Sequence, residues 1–412
     1  MSNKGKGGAA ALTLVGAIAG AGSKWYLVWL AQLAGGTEYL GEYGLLFAVA
    51  TPIFVVAQLG LRTIFLSSPQ AYPWRSYLIL RAAGLIVGSA ALGMFVLLSP
   101  RVGLWLGMSV LMMKVADSFL DIEIARVQYS NRMRTVGVIT IFGAALSVLL
   151  STIAILATHS LTAAVIGATT ATFIAYFVAK YVGARTSYAA DFPKSGKTEI
   201  LKASAPITAA QLFGSLLLYL PTLYLGAAAD LGAVGLYVGA AYLLTVADLI
   251  GASVAKLLIT PLRRRRAAEG DRAVTAAVNA WARRALMLGI PVLALIVPVG
   301  PAAFRLVYGD SFNLPVSIMA ALGGAALAIV VSHLQSVALN VLNRYYAVLT
   351  SFAAACVLSV LLALALSLIG SDALLTGALM AAAGALVRCI WLSVGVANHA
   401  RRGTSQGDVA AD

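Results

Sequence analysis

The sequence predicts an all-α integral membrane protein of about twelve transmembrane helices, arranged as two six-helix bundles in a parallel internal repeat. Three observations carry this. The 412-residue chain is 61% hydrophobic and only 11% charged, with a mean hydropathy of +0.91, whereas soluble domains carry about 25% charged residues. Long stretches, Thr135 to Ala179 and Ser311 to Asn343, contain no Asp, Glu, Lys or Arg. Finally, LGEYGLLFAVA (40–50) recurs as LGAVGLYVGAA (231–241), about half a chain later.

A bilayer core needs roughly 20 apolar residues per helix, and lipid offers the backbone no water to bond. Barrel strands would be about 10 residues long and alternate in polarity. These runs are longer and apolar on every face, which predicts helices. The first span, 9–33, follows Lys4 and Lys6 like a leader peptide, but its apolar character runs past Lys24 through Trp25 to Leu33, so it is read as retained. The next five are 43–66, 77–98, 102–125, 135–157 and 160–182. The second half supplies 204–226, 233–259, 285–306, 315–340, 346–369 and 373–396.

Lys and Arg gather on alternate connections, as the positive-inside rule requires. Arg75 and Arg81 fall in the second connection, Arg126, Arg132 and Arg134 in the fourth, and Arg185, Lys194, Lys197 and Lys202 in the sixth. The eighth holds RRRR (263–266), Arg272, Arg283 and Arg284, the tenth Arg344, and the C-terminus Arg401 and Arg402. The intervening connections hold only Arg101 and Arg305, beside Glu38, Glu42, Asp230, Asp310 and Asp372. Both termini are therefore expected in the cytoplasm, with 267–284 as a short amphipathic helix on that surface. The net charge of +14 is topological and faces anionic membrane lipid, so no nucleic-acid partner is expected.

Six helices per half give both copies of L-G-x-x-G-L one orientation, each at an outer turn before the second helix of its half. S-S-P (67–69) and I-T-P (259–261) end those two helices. Chance recurrence of Gly-rich turns among 39 glycines is the competing reading. The organisation expected is a bundle at 1–183, a cytoplasmic linker at 184–202, a second bundle at 203–400 and a cytoplasmic tail at 401–412. Parallel repeats are a recurrent transporter plan, with the substrate path between the halves.

Catalytic and metal chemistry find no foothold. SGKT (195–198) ends like a phosphate-binding loop, but that motif needs Gly where Asp191 stands. GAIAGAG (16–22) spaces small residues for helix packing rather than for a dinucleotide. His159, His333 and His399 are scattered and make no metal site. Cys356 and Cys389 lie in apolar runs and are expected to act as small hydrophobes. The chain is read as not an enzyme.

The stretches LGEYGLLFAVATPIFVVAQLGLRTIFLS (40–67), ARVQYSNRMR (125–134), LPTLYLGAAADLGAVGLYVGAAYLL (220–244) and FRLVYGDSF (304–312) resemble the multidrug/oligosaccharidyl-lipid/polysaccharide (MOP) exporter superfamily, and within it the polysaccharide flippases of the O-antigen (Wzx) type. The resemblance is loose and runs end to end. It implies two six-helix bundles around a central cavity in a bacterial inner membrane. It also implies transfer of undecaprenyl-diphosphate-linked oligosaccharide to the outer leaflet, alongside glycan polymerase and chain-length proteins of the same pathway. A cation-coupled drug exporter of the same superfamily is the alternative, and a membrane glycan polymerase or ligase a more distant one.

Charges within spans tend to face a cavity or a partner. Lys24, Arg62 and Lys114, with Gln58 one turn from Arg62 on the same side of helix two, are candidates for the diphosphate and sugar. Asp117 and Asp121 share a face with Lys114 and are candidates for charge pairing or for a coupling H⁺ or Na⁺, as is Asp248. No other cofactor is expected. Lys256, His333, Asn340 and Arg388 are lesser path-lining candidates. The structural alternative pairs Lys114 with Asp117 and lets Arg62, Glu123, Lys256 and Arg388 snorkel toward the interface.

Overall fold

The computed structural model describes residues 3–67, 72–130, 132–185 and 196–408, with side chains from Leu12 to His399. The S-S-P stretch (67–69), the linker expected at 184–202 and the tail at 401–412 lie partly outside the described residues. The described elements are all helices: α1 (Asn3–Ala57), α2 (Leu61–Ser67), α3 (Trp74–Leu98), α4 (Leu104–Tyr129), α5 (Met133–Thr158), α6 (Leu161–Ala184), α7 (Lys197–Ala228), α8 (Leu231–Glu269), α9 (Asp271–Tyr308), α10 (Val316–Val341), α11 (Tyr345–Leu368) and α12 (Ala373–Asp408).

Ten of the described helices are long and apolar enough to cross a membrane. They account for the twelve expected passes in an unexpected way. The apolar part of α1 covers 46 residues, about 69 Å at 1.5 Å per residue, which is twice a bilayer core of roughly 30 Å. A kink at Gly35 and Gly36 (φ 70° at the latter) divides it into two arms, so one element supplies two passes. The pass missing from the ten is α4, which carries Lys114, Asp117, Asp121, Glu123 and Arg126. Apolar side chains in mid-helix, such as Ile86 and Leu295, are exposed, as a lipid boundary requires.

Three local expectations are corrected. The second span is not one helix: Gln58, Leu59 and Gly60 form a turn, with φ of 53° at Leu59 and 56° at Gly60, before α2 resumes. Gly60 accepts that left-handed geometry freely, and because the turn is apolar, hydropathy does not register it. The repeat motif is not an outer turn in both halves. Residues 40–45 lie inside the second arm of α1, whereas 231–236 open α8 behind Asp230, whose carboxylate accepts the Ala233 N–H at 2.7 Å. Of the two glycines common to both copies, the second, Gly44 and Gly235, is nonetheless buried in both. The segment 267–284 is not a separate helix either. It ends α8, turns at Gly270 (φ 80°) and runs unbroken into α9.

The chain forms two compact units, 1–215 and 216–412, divided within α7. In the first, α5 packs on α1 and α6, α4 on α6, and α3 against α1 and α4. An aromatic cluster seals one end, where Phe65 meets Trp74, Tyr77 and Tyr129 at ring separations of 5.1–5.2 Å. In the second, α10 is central and touches α8, α9, α11 and α12. His399, near the end of α12, shares Asp271 with Arg266, at 2.8 and 2.7 Å. Arg266 also donates to the Val341 carbonyl at 2.6 Å, so the ends of α8, α9, α10 and α12 are tied together.

Small residues set the closest approaches. A Cβ at Gly84 would lie 2.0 Å from the Ala57 carbonyl oxygen, whereas one at Gly22 would meet nothing within 4 Å. Gly84→Val is expected to force α3 off α1 at a cost of about 1–3 kcal/mol, read as a lower melting temperature of the detergent-purified protein. Gly22→Val should melt like wild type. Equal melting of the two variants would contradict the α1–α3 contact.

Candidate functional site

Within the first unit, Lys114, Asp117, Ser118 and Asp121 follow the i, i+3, i+4, i+7 spacing that puts them on one face of α4. Each is matched by a residue from another element. Lys24, on the first arm of α1, donates to Asp117 Oδ2 at 2.6 Å. Thr51, on the second arm, takes a hydrogen bond from Lys114 Nζ at 2.9 Å, and the same ammonium sits 3.9 Å over the Phe47 ring. Gln58, in the turn before α2, donates to Ser118 Oγ at 3.0 Å. Arg62 of α2 reaches Asp121 Oδ1 at 2.6 Å and Gln128 Oε1 at 3.1 Å. Arg81 of α3 donates to Asp121 Oδ2 at 3.2 Å.

Exposure divides these cations. Lys114 and Arg81 are buried, the latter completely. The side chains of Lys24 and Arg62 are 50% and 39% exposed even though each holds a carboxylate. The geometry can thus present two cations, from α1 and α2, at a surface whose negative partners stand behind them on α4. A cavity of about 140 Å³ opens beside the first pair and is lined by Lys24, Asp117, Ser23, Thr140, Ser147 and Thr172 among others. It has room for several waters or a small ion.

The second unit holds a sparser cluster on α10. His333 Nε2 lies 2.8 Å from Asp248 Oδ1 of α8. Arg388 of α12 donates to Ser336 Oγ at 3.3 Å and lies 4.0 Å over the Phe352 ring. Lys256 and Asn340 are exposed. No group of three or more His, Cys, Asp or Glu suited to a metal occurs among the described residues.

Several sequence expectations change. Lys114 does not pair with Asp117, because Lys24 occupies that carboxylate. Gln58 and Arg62 do not share a helical face, since the chain turns between them, yet both reach α4. Arg388 and Glu123 do not snorkel; both are buried. Arg81, assigned to a cytoplasmic connection, is a fully buried partner of Asp121. The signal that pointed to it was weak: an Arg within the first turns of an apolar run reads equally as a flank. Thr51 and Ser118, which complete the polar seam, carry no signal at all in an apolar helix.

Residues 38–317 match the family described as polysaccharide biosynthesis protein. Solved structures similar to the chain include the inward-facing conformation of a multidrug resistance MATE family transporter of the MOP superfamily, at 17% identity over 95% of both chains with a TM-score of 0.69. A MOP superfamily transporter from Pyrococcus furiosus, described by a reversed polarity of its binding pocket that suggests a different function, matches at 15% identity over 95% of both chains with a TM-score of 0.64. The Vibrio cholerae MATE transporter VcmN matches at 14% identity over 96% of both chains, also at 0.64. A comparison with curated protein sequences gave no match. At these identities the likeness establishes the fold, which is that of the MOP superfamily transporters.

The Lys24–Asp117 pair is expected to show a coupling of roughly 0.2–1 kcal/mol. The check is a double-mutant cycle of Lys24→Met and Asp117→Asn on melting in detergent. Purely additive losses would mean that the two side chains do not meet.

Proposed function

The chain belongs to the polysaccharide biosynthesis protein family, and from that premise we propose that it is a flippase. It moves undecaprenyl-diphosphate-linked oligosaccharide from the inner to the outer leaflet of a bacterial inner membrane by alternating access, supplying O-antigen, capsule or exopolysaccharide assembly. Both termini lie in the cytoplasm in this reading, and the pathway's polymerase and chain-length proteins act downstream. One observation carries it: Lys24 on the apolar first arm of α1 and Arg62 on the short α2 remain substantially exposed although each holds a carboxylate. A diphosphate leaving water needs such counter-charge, and Arg offers it as a two-pronged donor. The neighbour whose reversed pocket polarity suggests a different function supports reading a function other than multidrug transport on this fold. Lys114 supports the site from behind and Gln58 extends its hydrogen-bonding edge.

A second reading, a cation-coupled exporter of small molecules, draws on the multidrug transporters that share the fold and on Asp248, whose carboxylate is exposed beside His333. In either reading Asp117, Asp121 and Asp248 are the carboxylates available to a coupling H⁺ or Na⁺.

Deletion of the gene in its host, followed by mass spectrometry of extracted lipid and assay of surface polymer, separates the two. The flippase reading expects complete lipid-linked units to accumulate while surface polymer disappears, and expects Lys24→Ala to reproduce this with normal protein levels. Unchanged lipid-linked intermediates and surface polymer in a host with no second flippase would sink it.

A further inference from the structure

Asp121 is shared by two arginines of opposite character. Its Oδ1 accepts from Arg62 Nη1 at 2.6 Å and its Oδ2 from Arg81 Nη2 at 3.2 Å. Arg62 is 39% exposed, whereas Arg81 is fully buried. The Nε and Nη1 of Arg81 are buried without a hydrogen-bond partner, so Asp121 provides the ion pair for that guanidinium among the described residues. The second contact of Arg62 is with Gln128, a neutral amide that gives it up at smaller cost than a carboxylate would.

Resting on the flippase reading, we propose that Asp121 is an exchangeable counter-ion for Arg62 and that Arg81 is the residue that makes the exchange possible. An incoming diphosphate takes the exposed guanidinium from Asp121 Oδ1. Removing one partner from a buried ion pair is strongly unfavourable, because it strands the other charge. Here the carboxylate is not stranded, since Arg81 holds Oδ2 before and after the exchange. Asp121 thereby competes with the substrate for Arg62 and keeps its binding reversible. Arg62 is the substrate-binding residue of this set, and Asp121 and Arg81 are positioning residues that act through it.

The two positioning residues should shift affinity in opposite directions, which a purely structural role would not do. The test uses the purified full chain in detergent, with farnesyl diphosphate as the probe and its Kd as the readout. Arg62→Gln should weaken binding by about tenfold, the scale of a lost charge-assisted hydrogen bond. Asp121→Asn frees Arg62 and should tighten binding by about three- to tenfold. Arg81→Gln leaves Asp121 with Arg62 alone and should weaken binding by about threefold. If Asp121→Asn does not fold because it strands Arg81, the double variant Asp121→Asn with Arg81→Gln removes the buried charge together with its partner and carries the same expected sign. Wild-type binding that Asp121→Asn, or the double variant in its place, leaves unchanged or weakens overturns the exchange alone. Failure of wild-type protein to bind the probe overturns the diphosphate reading and the exchange with it.

Discussion

An ionised side chain in the hydrocarbon region costs about 2.5–3.5 kcal/mol on insertion scales unless it finds a partner or water. In the first unit that constraint falls on α4, which carries more charge than a free-standing span tolerates. It is met by drawing a different partner to each turn of one helical face: Lys24 to Asp117, Thr51 to Lys114, Gln58 to Ser118, and Arg62 with Arg81 to Asp121. These partners come from both arms of α1, from the turn after it, from α2 and from α3. The kink at Gly35 and Gly36 and the turn at Gln58 to Gly60 are what let one continuous stretch of chain reach α4 at four levels. Apolar packing brings the helices close, and the polar seam fixes their register.

The second unit answers the same constraint differently. Its fourth pass, α10, stands where α4 stands in the repeat and again carries the polar face, but with His333 and Ser336 in place of full charges. Its partners, Asp248 and Arg388, come from α8 and α12. Arg388 is buried against a ring and a hydroxyl, its Nε without a hydrogen-bond partner. The two polar faces therefore share a place in the helix order and not a charge pattern. The second unit has its own exposed pair, Arg265 with Glu269, but it sits at the charged end of α8. The exposed pairs made by Lys24 and Arg62 on the apolar-flanked α4 lie in the first unit, which is why the substrate headgroup is proposed there.

Much of this was legible in the sequence and some was not, for identifiable reasons. Helix count and type follow from apolar runs far longer than strands. The α4 face followed from spacing alone, since 114, 117 and 121 must align on any helix. What failed was the choice of partners. Lys114 and Asp117 are three residues apart and read as a pair, yet Lys24, 93 residues away from Asp117, takes the carboxylate. Only the tertiary packing of α1 on α4 decides that contest. Arg81 failed for a related reason: charge counting assigns an Arg near a span end to the connection, and burial is invisible to the count. The turn at Leu59 failed because it changes geometry without changing polarity.

A transporter that binds an anion in low dielectric faces a difficulty opposite to that of a receptor. Binding must be favourable enough to admit the substrate and weak enough to release it. Bare arginine and lysine against a diphosphate, with water excluded, would hold it through strong charge-assisted bonds on every contact. A carboxylate on a facing helix of the same scaffold acts as a tethered competitor, and tethering makes its effective concentration high. Lys24 with Asp117, and Arg62 with Asp121, each place such a competitor within hydrogen-bond distance of an exposed cation. In the proposed flippase, charge pairs that look like insulation for the membrane thus also set the affinity of the site, with the buried Arg81 deciding which half of its pair can move.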